Sequence, residues 1–234
     1  MNEGTWADWF AGTMSGLAVI AALAGYFIAD WYRRRDRREI DVATAQLVGL
    51  KLFKVTNSSH DLYRHLWAPY DGPALGGVAD GVELWRTISP LVGLQIDESM
   101  RLDASEMGLL VRMEKVTFLT ELMLATSRYD SMVLSMREYQ TRHEVIHQMT
   151  PPPVEMEGRV GKHQLTREEY MRIQPYAVAQ EHLVRFIRDM ARENVEKCGD
   201  LAEQFHPMMK AYFKGEKFIA LGRPPLEPAS PGSL

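Results

Sequence analysis

The order of apolar and polar positions divides this chain into two regimes. From Trp9 to Ala29 no residue is charged (WFAGTMSGLAVIAALAGYFIA). At about 1.5 Å per residue such a run reaches roughly 30 Å, the thickness of a bilayer's hydrocarbon core. The pattern predicts a membrane-spanning helix over residues 9–31, with Trp6, Trp9 and Phe10 at one headgroup region and Tyr26, Phe27, Trp31 and Tyr32 at the other. Beyond it, apolar residues recur every three or four positions and do not alternate at period two, so helix is expected throughout and no sheet. The first helix should run on to about Leu66, carrying Ile40, Leu47, Leu50, Val55, Leu62 and Leu66. Asp71-Gly72-Pro73 and Gly76-Gly77 supply a turn, and a short helix (GVELWRTIS) then stops at Pro90. Asp103 with Glu106 has the form of a capping box, opening a helix expected to last to Met149, where Pro151-Pro152-Pro153 ends it. Thr166 with Glu169 repeats the signal for a last helix reaching about Phe213 through Pro175 and Pro207.

Two of these helices carry continuous seams. Phe118, Leu122, Ala125, Tyr129, Met132, Met136, Tyr139, His143 and Ile146 follow a 4-3 spacing, and Leu183, Ile187, Met190, Asn194, Cys198, Leu201, Phe205, Met208 and Tyr212 nearly do. Such seams pack at shallow angles. The expected fold is all-α: one transmembrane helix continuing into an elongated antiparallel cytoplasmic bundle of three to four helices. The expected divisions are a short extracytoplasmic segment (1–8), the span (9–31), the bundle (33–220) and a disordered, Pro/Gly/Ser-rich tail (221–234).

Charge sets the orientation. Arg33, Arg34, Arg35, Arg37 and Arg38 follow the span, whereas the leading segment carries only Glu3 and Asp8. The positive-inside bias places the N-terminus outside and the C-terminal part in the cytoplasm, with Trp9, Trp31 and the five arginines as anchors. A cleaved signal peptide has the opposite order of charge and apolar core. Gly12 and Gly16 form a G-x-x-x-G, a small-residue face on which a second helix can approach. Asp30 lies at the edge of the span within reach of Arg33 and Arg34, which reads as a local ion pair. The formal charge of −4 and a pI near 6.0 argue against a nucleic-acid binder, because counterion-release binding needs a concentrated basic surface. The single cysteine, Cys198, excludes a disulfide scaffold and a cysteine metal cluster. The 14 methionines are spread over every helix, as expected of core filler.

One motif names a chemistry. His143-Glu144-Val145-Ile146-His147 is an H-E-x-x-H. On a helix, imidazoles at i and i+4 share a face and can hold one zinc ion, while the glutamate reaches the metal-bound water as general base. This resembles the zinc metallopeptidases. The metzincin continuation is absent, with Thr150 and Pro153 where its Gly and third His stand, so a gluzincin-like third ligand is needed, for which Glu196 with Asp200 four residues on has the form. In the preferred reading His143 is a bundle seam residue, His147 lies at its edge and no cofactor is bound. The triple proline and the missing strand both count against a peptidase. Neither a phosphate loop nor a nucleophile elbow occurs. The expected function is therefore interaction: a membrane-anchored helical scaffold, regulator or accessory subunit, whose partners are the membrane and another protein or a second copy. A membrane-anchored zinc peptidase using Glu144, His143, His147 and Glu196 is the alternative.

Overall fold

The computed structural model describes the chain except for residues 1–3, 72–82, 92, 153, 158–159 and 226–234, and describes the backbone alone for 4–12, 15, 68–71, 155–157 and 160–162. The fold is all-helical. Four helices account for most of the described residues: α1 (Gly4–Asp71), α2 (Ala104–Arg112), α3 (Val116–Met149) and α4 (Arg167–Tyr212). The expectation of no sheet needs one correction. β1 (Glu155–Glu157) and β2 (Val160–Lys162) form a two-stranded antiparallel ribbon in the α3–α4 connection, Met156 opposite Gly161. The expected turn at residues 72–77 lies outside the described residues, and the short helix before Pro90 is a single 3-10 turn, Leu84–Arg86.

The chain divides into two compact units, residues 1–45 and 46–234. In the first, Leu17, Ile20, Leu23, Tyr26, Phe27 and Ile28 are all more than half exposed, and every described side chain from Thr13 to Ala29 is open to its surroundings. Among the described residues no helix is long and apolar enough to cross a membrane. Trp9 and Gly12, which belong to the expected span, have side chains outside the described residues. Past the apolar stretch, Arg34 pairs with Asp30 at 2.7 Å and Arg35 with Glu39 at 3.1 Å, the former as expected. Arg35 also lies over the Trp31 ring. Ile40, expected on the packing face of α1, is 65% exposed.

The second unit is a helical bundle. Val48, Leu52, Val55, Ser59, Leu62 and Leu66 of α1 are buried, spaced by four and three. Leu47 and Leu50, expected in this seam, point away from it and are half exposed. The seam of α3 is the expected one, with all of its members buried except the half-buried His143. In α4 the buried line runs Ile173, Ala177, Gln180, Val184, Ile187, Ala191, Asn194, Cys198, Leu201, Phe205 and Met209. Leu183, Met190 and Met208 sit half-buried beside that line, and Tyr212 is exposed. Ala177, Ala191 and Cys198 alternate along this line with the larger Ile173, Ile187, Leu201, Phe205 and Met209.

Three contacts fix the register. Phe205 lies 6.4 Å from the Phe118 ring, Asn194 donates to the Ala125 carbonyl at 3.2 Å, and Gln180 donates to the Tyr139 carbonyl at 2.9 Å. The partners ascend α3 while descending α4, so these two helices are antiparallel. Contacts of α1 with α4 descend in the same way: Gly49 against Phe205, Ser59 with Asn194, and Trp67 under the Arg188 guanidinium at 3.5 Å. Hence α1 runs parallel to α3, and the chain between them must return the length of the bundle.

Polar groups tie that return segment down. Lys51 donates to the buried Glu106 carboxylate at 2.6 Å and to the Arg101 carbonyl, while Lys54 reaches Asp97 and Ser99. The Asp103–Glu106 capping box is present, but its helix stops at Arg112. Glu114 adopts φ 59°, and Lys115 N–H bonds to the Leu110 carbonyl while Glu114 N–H bonds to that of Val111. This is a Schellman ending, and it splits the expected 103–149 helix into α2 and α3. The second capping box, Thr166 with Glu169, opens α4 as expected. Of the expected tail, residues 226–234 lie outside the described residues, while residues 221–225 lie against the bundle, Arg223 held by Asp200 and Glu203 and Pro225 by His60.

Candidate functional site

The H-E-x-x-H lies in the last turns of α3, beside the segment around Trp85. Tyr139, one turn earlier, places its hydroxyl 2.8 Å from the Trp85 carbonyl and 2.6 Å from that of Ile88. Burial raises the Tyr139 phenol far above its ordinary range, so it stays a donor. Glu181 of α4 accepts from the Trp85 N–H at 3.1 Å, and the Trp85 indole donates to Glu83. Trp85 thus meets His143 edge to face, ring centroids 6.0 Å apart, and Tyr139 covers another side at 5.8 Å. His143 is a half-buried ring in an aromatic cluster.

The other motif residues do not complete a metal site. His147 is exposed, and Glu144 is exposed and accepts from Gln148 at 3.4 Å. Glu196 pairs with Arg192 of its own helix at 3.2 Å. Its neighbour Asn194 is bonded to Ala125, and from Ala125 to His143 the axial rise along α3 is about 27 Å at 1.5 Å per residue. Glu196 therefore cannot serve as third ligand to His143 and His147, which corrects the gluzincin-like reading. Among the described residues no three His, Cys, Asp or Glu side chains gather where one metal ion would reach them.

Two influences lower the pKa of His143: burial of the ring first, then the neighbouring His147. The folded chain therefore holds this ring neutral at pH values where the unfolded chain, with its value near 6.5, has begun to bind a proton. The stability that His143 contributes is complete above that unfolded value and is lost as pH falls through the lowered folded one. His143→Asn should remove this acid sensitivity. Melting temperatures of the two proteins measured from about pH 7.5 to 5 should converge on acidification, and parallel curves would exclude the assignment. Cys198, the other group with nucleophilic chemistry, is buried and its thiol is pushed up to about 11 by that burial, which leaves it unreactive at neutral pH.

What the chain does present is surface. In unit 1 the exposed apolar side chains surround α1 from residue 16 to residue 29, and Gly16 has nothing within 4 Å of where a Cβ would stand. Arg33, Arg34, Arg35, Arg37 and Arg38 are all exposed immediately after it. In unit 2, Leu47, Leu50 and Phe53 form an outward apolar patch on α1, each about half exposed. An open groove of about 580 Å³ lies between α3 and α4, lined by Glu121, Phe118, Lys197, Asp200, Leu201 and Met208 among others.

Leu47 and Leu50 of the outward patch are two of the residues that the sequence places on the packing face of α1. The aromatic cluster around Trp85 carried no local signal. No family model matches this chain, and neither the curated proteins nor the solved structures include a detectable match.

Proposed function

We propose that this protein is a single-pass membrane-anchored helical scaffold or accessory subunit that works by protein–protein contact at the cytoplasmic face. One observation carries the reading: between residues 16 and 29 the apolar side chains of α1 are exposed on every side. A helix apolar all round needs an apolar environment, either a protein core or a lipid bilayer, and the arginines that follow supply the positive-inside signal. Trp31 and Tyr32 suit the interface between the two. The bundle supports an interaction role through its outward Leu47, Leu50 and Phe53 and through the polar-seamed core that gives it one register. Gly12 and Gly16 offer a close-approach face for self-association within the span.

The test is a reporter fused after Leu234 in the full chain. The protein should resist extraction from membranes by carbonate, and the reporter should be found in the cytoplasm. Neutralising Arg33, Arg34, Arg35, Arg37 and Arg38 together should invert a substantial fraction of molecules, because the K/R bias sets orientation. A reporter outside in the native protein, or release by carbonate, would overturn the reading. Gly16→Ile should weaken self-association in a membrane two-hybrid assay, and an unchanged signal would remove the glycine face from it.

A further inference from the structure

The chain does not end with α4. Gly215 adopts φ 90°, a conformation that glycine accepts readily, and turns the backbone after Tyr212. Phe213 is buried and packs its ring 5.5 Å from Phe218. The following residues then run back beside α4, so that Arg223 reaches Glu203 with Nε at 2.9 Å and Asp200 with Nη2. Two residues on, the Pro225 carbonyl accepts from His60 Nε2 of α1 at 3.0 Å.

Gly199 shows that this return path shapes the helix beneath it. Glycine in the interior of a helix weakens it relative to alanine, and Gly199 is buried in the middle of α4. A Cβ there would stand 2.9 Å from Arg223 Cγ, closer than the two atoms can sit. The glycine lets the arginine stem lie flat on the helix. The clasp itself is exposed: the side chains of Arg223, Asp200 and Glu203 are between 41% and 56% accessible. Ion pairs this exposed are weak and screened by salt.

We propose that residues 214–225 are a reversible latch, a strap that closes over α4 and the edge of α1 through an arginine clasp and opens when the clasp is screened or competed away. Opening uncovers Gly199 and His60. Asp200 also lines the groove between α3 and α4, so a cationic group entering that groove meets a carboxylate that holds the latch. The hinge is a glycine, the clasp is ionic, and the helical seams lie beneath both.

Limited trypsin digestion of the full chain in detergent reads the latch, because cleavage after Lys214 or Lys217 releases the C-terminal fragment while the Arg223–Pro224 bond resists the enzyme. Fragment release is followed by mass spectrometry relative to cleavage of an added reference peptide. Arg223→Ala should raise the initial rate at least about fivefold at low salt, and Gly199→Leu should do the same without altering any charge. The native chain should open in about 0.5 M salt, and the Arg223→Ala variant should show no further salt response. A charge-reversed clasp, Arg223→Glu with Asp200→Arg and Glu203→Arg, should restore protection. Equal rates for the native and Arg223→Ala chains would overturn the proposal. So would a large fall in the bundle's melting temperature in Arg223→Ala, because the strap would then be an integral part of the core.

Discussion

Lys51→Ala is expected to destabilise the bundle by about 3–5 kcal/mol, the range typical of removing one partner from a buried ion pair. The carboxylate of Glu106 is fully buried, the Lys51 side chain is 18% exposed, and they meet at 2.6 Å. Glu106 also accepts from the Asp103 N–H in the capping box and therefore cannot swing to solvent without undoing the start of α2. Lys51 additionally holds the Arg101 carbonyl. Only part of the loss should return in Lys51→Met with Glu106→Leu: replacing a whole buried pair by apolar groups removes the unpaired charge, but the Asp103 N–H and the Arg101 carbonyl lose their partners. Urea unfolding of the single and double variants measures both. A loss below about 1 kcal/mol for Lys51→Ala would place the pair among surface bridges.

Phe205→Ala should cost a similar amount, about 3–5 kcal/mol, because the ring fills the meeting point of three helices. It is 1% exposed and lies against Phe118 of α3 and Gly49 of α1. A Cβ at Gly49 would stand 2.7 Å from the ring edge. Gly49→Ala is accordingly expected to destabilise by about 1–3 kcal/mol through overpacking, even though alanine is the better helix former. The two substitutions should be non-additive, since the smaller residue at 205 makes room for the methyl group at 49. Thermal melts of both singles and the double test this, and strict additivity would mean that the residues do not share the junction.

Features written in local chemistry were legible in the sequence. The capping boxes at Asp103 and Thr166 each need only two side chains three residues apart, and both helices start where those residues place them. The seam of α3 was readable because large residues occupy it almost throughout. The seams of α1 and α4 were harder, since Ser59, Ala177, Gln180 and Ala191 occupy buried positions while Leu47, Leu50 and Leu183 lie outside the buried lines. What places Ser59 inside is the Asn194 amide that donates to it at 2.9 Å, a contact between residues 135 positions apart. The break at Glu114 escaped because a left-handed position is usually signalled by glycine. The ribbon at 155–162 is too short to show an alternation. For the candidate site, the spacing of His143 and His147 was plain in the sequence, but the position of Glu196 depended on how α4 is registered against α3.

The parallel course of α1 and α3 also bears on how the molecule comes into being. The α1 segment from Val48 to Leu66 is synthesised early, yet its partners in α4 follow far behind, Ser59 waiting for Asn194. At ribosomal speeds of about 5–20 residues per second, that interval is on the order of ten seconds. Throughout it α3 and α4 do not yet exist as a complete pair, and α1 has no finished surface on which to lay its apolar line. The bonds from Lys51 and Lys54 to residues 97–106 can form earlier, but the apolar line of α1 gains its α4 partners only at the end of that interval. Until then Val48, Leu52, Val55, Leu62 and Leu66 lack the α4 face that completes their burial in the finished bundle.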